Sequence, residues 1–242
     1  MRISTKAWDK YIRKLSAIDN KAGDLIRRYI EVNGLDPDDT EELIEYAYKV
    51  SSRYGQAAAA VACEMYDATA IAQGVALAAA VPAEVATFSE VAASVNATRE
   101  SQALVPQAVS RLVKQAAADT TLQNAARDKA EYAWISVGDT CAYCIAISAQ
   151  GWKPTNYDDK YVHADHIHAN CDCQFAVRFD HKSNVSGYNP DRFKKMYYNG
   201  GQTAKERINN LRRMIYEDHK DEINAQKRAA YAARVEAEDG EE

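Results

Sequence analysis

Ten glycines and five prolines in 242 residues are too few to punctuate a turn-rich β architecture. Long apolar runs are missing too. No stretch approaches the roughly 18 consecutive apolar residues of a membrane-spanning helix, so no membrane partner is expected. The opening Met1-Arg-Ile-Ser-Thr-Lys-Ala-Trp8-Asp turns charged and amphipathic at once and has no signal-peptide core. Synthesis and use in a cytosol are therefore expected, where clustered thiols are more often metal ligands or redox groups than disulfides. A large basic excess is lacking as well, since the net charge of −5 argues against a generic nucleic-acid coat.

What the chain does have is alanine and helical period. Trp8, Tyr11, Ile12, Leu15, Ile18, Ala22, Leu25, Ile26 and Tyr29 recur at three- and four-residue spacing, and Asn33-Gly34 supplies a stop. Asp36 to Glu42 offers caps and first-turn acids for a second long helix through Leu43, Tyr46, Val50, Tyr54, Val61 and Met65. Cys63 falls inside this run and reads as a buried small hydrophobe. Gly74 to Pro82 reads as a break, with shorter helices over 84–99 and 103–118 and another from Asp119 to about Trp134. Gln174 to Phe179 alternates like a short strand, and helix returns over 191–198 and from Ala204 to about Ala233, ahead of an acidic, frayed end. From Gly187 to Arg234 there are 11 basic against 6 acidic side chains, and the last eight residues then add five acids.

Chemistry concentrates in one place. Cys141-Ala-Tyr-Cys144 has the spacing that puts two sulfurs on one tetrahedral zinc, and His168-Ala-Asn-Cys171-Asp-Cys173 offers the rest. The preferred set is Cys141, Cys144, His168 and Cys171, with Cys173 in competition for either later position and His163 and His166 nearby. Four protein ligands leave no open position, so such a zinc is structural. The alternatives are reduced thiols without metal or a redox Cys-x-x-Cys, for which the βαβ surroundings are missing. A nucleobase deaminase fails on the order of its motif and on its general base, because His163-Ala-Asp165 follows the Cys-x-x-Cys. An HNH-type nuclease is suggested by Asp165-His166-Ile167, but no second Cys-x-x-Cys accompanies it.

Beyond spacing, the run Gly138-Asp-Thr-Cys-Ala-Tyr-Cys144, Ala149-Gln-Gly-Trp152, His168-Ala-Asn-Cys-Asp-Cys173-Gln and Gly187-Tyr-Asn-Pro-Asp191 resembles the MuF-like minor capsid, or head-morphogenesis, proteins of tailed bacteriophages. The resemblance implies a non-enzymatic virion component without a small-molecule substrate. It implies a place inside the phage head after assembly in the host cytoplasm, next to portal and major capsid or scaffold proteins. It also implies zinc or structural-motif roles for Cys141, Cys144, His168, Cys171 and Cys173. The basic C-terminal helix adds a candidate contact to packaged DNA or to an acidic portal surface. The expected fold is mostly α: a helical hairpin scaffold over 1–134, a small zinc-stabilised α/β hub over 135–186, and C-terminal helices with an acidic tail over 187–242.

Overall fold

A computed structural model of the chain describes residues 2–137, 140–155, 167 and 171–239. The fold is mostly helical with a small sheet, and it divides into two compact units. The first comprises Met1–Gly138 with Gln150–Asn189, the second Asp139–Ala149 with Pro190–Glu242. Among the described residues no helix is long and apolar enough to cross a membrane.

The first unit is built on α1 (Thr5–Asn33), α2 (Glu41–Ala72), α3 (Phe88–Thr98) and α4 (Leu104–Arg127). Ser4 caps α1 by accepting the Ala7 N–H at 3.2 Å, and Gly34, at φ +80°, closes it through a 2.8 Å bond to the Ile30 carbonyl. Trp8, Tyr11, Ile12, Leu15, Ala22, Ile26 and Ile30 form its buried stripe, as the period predicts. On α2, Ala58, Ala59 and Ala62 are buried and small enough for neighbouring backbones to come near. Cys63, next to Ala62, is half-buried rather than buried, and its thiol pKa is pushed up by that burial and by Asp67. The centre of the unit is α4, which has buried residues on all its sides from Val105 to Ala126 and so behaves as a core helix.

Two stretches depart from the sequence expectation. The helix predicted to begin at Asp119 is the unbroken continuation of α4, and Glu131–Ile135 is a strand rather than helix running to Trp134. Lys129 is the reason. It takes φ +53°, its N–H reaches the Ala126 carbonyl at 3.3 Å and the Ala130 N–H reaches Ala125 at 2.9 Å. That is a left-handed helix stop of the kind usually made by glycine. The other departure is α3, which begins at Phe88 instead of 84 because Thr87 and Glu90 form a reciprocal capping box.

Between α2 and α3 the chain runs as a strap without regular structure, pinned by side chains. Asn124 donates to the Val81 carbonyl at 2.8 Å and accepts the Val81 N–H at 2.9 Å. Thr120 accepts the Ala83 N–H at 3.0 Å, Asp67 accepts the Ala80 N–H at 2.9 Å, and Arg127 donates to the Ala78 and Ala79 carbonyls. Truncating Asn124, which is 3% exposed, strips both partners from Val81. Asn124→Ala should therefore cost about 2–3 kcal/mol in urea unfolding, whereas an exposed strap position such as Val81→Ala should change it little.

The sheet of this unit is antiparallel, with order β3 (Lys153–Pro154), β2 (Glu131–Ile135), β4 (Gln174–Arg178). Glu131 pairs with Arg178 and Ile135 with Gln174 at the two ends of the β2–β4 ladder. A separate parallel pair joins β1 (Arg2–Ile3) to β5 (Asn184–Val185). The second unit holds α5 (Ala142–Ser148), α6 (Pro190–Tyr198) and α7 (Ala204–Asp239). Ala142, Ile145 and Leu211 form its core, with Phe193, Met196, Tyr197 and Ile215 packed around them. The last helix runs on to Asp239, into the acidic end predicted to fray.

Candidate metal centre

The first thiol pair lies at the start of α5. Cys141 is its N-cap, in extended backbone, and its Sγ accepts the Cys144 N–H at 3.4 Å. This is the backbone geometry that a Cys-x-x-Cys spacing favours: the first sulfur sits outside the helix and the second inside its first turn. A backbone N–H aimed at sulfur stabilises the thiolate, which is the form that binds metal. Cys144 is sealed at 1% exposure and Cys141 is half-buried. The small helix holds its place because Ala142 and Ile145 are inserted into the core of the second unit.

The other pair belongs to the first unit. Cys173 immediately precedes β4, is completely buried, and its Sγ accepts the Val137 N–H at 3.4 Å from just beyond β2. The β2–β4 ladder sets this contact, since Ile135 opposite Gln174 carries the following residues past Cys173. Cys171 is half-buried, and its Sγ lies within 4.8 Å of that of Cys173. Phe175 stacks edge-on against Trp134 at 4.7 Å and against Tyr132 at 5.8 Å, which stiffens the sheet beside the pair. Asp172, between the two cysteines, accepts a 2.6 Å bond from the Ser16 hydroxyl and so ties the loop to α1.

Each unit thus brings two sulfurs together, Cys141 with Cys144 in the second and Cys171 with Cys173 in the first. None of the five cysteines is in a disulfide. Of the residues singled out by sequence, Cys141 contributes the capping sulfur, whereas His163, His166 and His168 lie outside the described residues. The donor set suits zinc: soft sulfur ligands select it over magnesium or calcium, which take oxygen. Backbone N–H groups directed at Cys141 and Cys173 supply the outer bonds that orient such ligands. Sequence reasoning had no access to Val137, because a backbone donor leaves no residue signature.

Asp19 on α1 and Lys114 on α4 are two buried ionisable side chains that the sequence also concealed, not joined by a hydrogen bond or ion pair. Asp19 is 5% exposed and Lys114 is 4% exposed. Burial pushes the Asp19 carboxyl up to about 6, against the pull of Lys114 and with a further push from Asp172. The folded chain therefore binds this proton more tightly than the unfolded one, whose carboxyl titrates near 3.8. Asp19's contribution to stability should be greatest below about pH 4, fall as pH rises to about 6, and stay level above. The difference in unfolding free energy between wild type and Asp19→Asn, followed from pH 4 to 8, should trace that fall, on the order of 3 kcal/mol. A difference that stays flat across the acid range contradicts it.

A family model described as VG15 protein matches residues 2–200, which spans all four helices of the first unit and both thiol pairs. No curated protein and no solved structure matches the chain.

Proposed function

The chain belongs to the VG15 protein family, a family of viral gene products, and from that premise we propose that it is a minor head protein of a tailed phage or prophage. In this reading it is a non-enzymatic, MuF-like component of the virion. It docks on the portal protein and on the major capsid or scaffold protein during head assembly in the host cytoplasm and stays inside the head. The basic residues between Arg192 and Arg234 are its contact to packaged DNA or to an acidic portal surface.

The observation that carries this reading is the character of the thiol cluster. Cys144 and Cys173 are each almost completely buried. Buried, hydrogen-bonded thiols set at the ends of a helix and a strand suit a clamp, not a site that must admit a phosphodiester. We assign the cluster a structural zinc, completed to four ligands by Cys141 or His168. When bound, the metal supplies a cross-link of high local charge density and no chemistry on a substrate. The protein's own part is to aim backbone N–H groups at the sulfurs, Cys144 at Cys141 and Val137 at Cys173, and to bury Cys144 and Cys173.

The competing reading is an HNH-like metal-dependent nuclease using His166. Two measurements separate them. Purified protein incubated with supercoiled DNA and Mg²⁺ or Mn²⁺ should leave it intact, as should His166→Ala. Co-expression with the portal protein from the same genome should give a complex that survives gel filtration. DNA cleavage that His166→Ala abolishes makes the chain a nuclease.

A further inference from the structure

The second unit covers little of α7. Of its described side chains only Leu211 is buried, while Arg212, Arg213, Glu217, Asp221, Lys227, Arg228 and Tyr231 are exposed. At 100° per residue, Arg213, Glu217, Asp221, Asn224, Arg228 and Tyr231 follow one another along a single stripe, in steps of four, four, three, four and three. The charges on it come in blocks rather than in i,i+4 alternation. Arginine leads, four acids with His219 and Lys220 among them span Glu217 to Glu222, and Lys227-Arg228 follows.

Pairs within the helix use only part of this charge. Lys220 meets Glu217 at 3.5 Å and His219 meets Glu222 at 3.8 Å. Asp221 and Arg228 are seven residues apart, about 10 Å along the axis, which is too far for them to pair with each other. A parallel neighbour in register would set like charges on like. An antiparallel copy does the opposite. With a two-fold axis between Asn224 and Ala225, Asp221 of each helix faces Arg228 of the other. Ala225, one turn on from Asp221 and bordering the stripe, is exposed and small, so the two axes can come close near the two-fold. The stripe is mixed in charge and not simply basic, because Glu217 and Asp221 lie on it between the arginines, so a polyanion fits it poorly.

We propose that α7 is a self-association surface, pairing antiparallel with α7 of a second copy of this chain through reciprocal Asp221–Arg228 contacts in a two-fold dimer. The contacts are exposed and ionic, so the dimer weakens with salt.

Sedimentation equilibrium of the full-length protein in 50 mM NaCl should give a dimer, with its dissociation constant rising at least tenfold in 500 mM NaCl. Asp221→Arg and Arg228→Asp should each give monomer, with circular dichroism unchanged because both positions are exposed. The double variant carrying both substitutions restores opposite charges across the two-fold and should regain the dimer. Monomeric wild type at tens of micromolar overturns the proposal, as does a dimer indifferent to the single substitutions or a double variant that stays monomeric. If wild type is monomeric and Arg228→Asp instead loses retention on DNA, the stripe is a nucleic-acid contact.

Discussion

Replacing Cys173 by serine should strip the protein of its zinc and lower its melting temperature by more than about 10 °C. Two effects add. The first is the metal: structural zinc sites supply apparent binding free energies of roughly 10–16 kcal/mol in small domains, part of which is folding free energy. The second is local. Cys173 is fully buried and accepts the Val137 N–H beside the β2–β4 ladder, so a serine there places a more strongly hydrated group in a site shaped for sulfur. Chelation of the wild-type protein isolates the first effect. The two losses should be similar in size, with the substitution somewhat the larger. A Cys173→Ser protein that keeps both its zinc and its melting temperature would show that the ligands are other residues.

Truncation of Tyr66 should have the largest effect of any substitution remote from the thiols. Its ring is 2% exposed, packs with Ala125, Ala130 and Val177, and meets Phe179 edge-on at 5.4 Å. Its hydroxyl donates to Asp128 at 2.8 Å, and Arg127 pairs with the same carboxylate at 2.7 Å. One side chain thus joins α2, the end of α4 and the sheet. Tyr66→Ala should cost about 4 kcal/mol from cavity formation and lost packing. Tyr66→Phe keeps the ring and should cost about 1–2 kcal/mol, the size expected for a lost hydrogen bond to a carboxylate. Chemical denaturation of both variants gives the two figures, and equal losses would mean that the ring contributes nothing beyond its hydroxyl.

The helices were legible because their apolar residues repeat at the helical period and because Gly34 and the Asp36–Glu42 segment mark an end and a start. Strand β4 was legible from its alternation. Strand β2 was not, since the stop before it is made by Lys129 at φ +53°, a residue that carries no turn signal. The strap between α2 and α3 was visible as a break, but the side chains that pin it were not. Asn124 and Thr120 sit inside a helix and look neutral in sequence. For the site, the spacing of Cys141 and Cys144 pointed to two sulfurs for one metal, but the short helix α5 that Cys141 caps was not foreseen. The burial of Cys173 and the Val137 N–H behind it follow from strand pairing between segments far apart in sequence. The burial of Asp19 and Lys114 was hidden for a related reason: Lys114 looks like an ordinary exposed position until α4 is found to be buried all round.

Metal content tests most directly whether the thiol cluster is a closed structural zinc site. Protein purified without added metal or chelator should contain about one zinc per chain by elemental analysis, and Cys144→Ser should contain none. Wild-type protein free of zinc, or zinc retained at the same stoichiometry in Cys144→Ser, would contradict it.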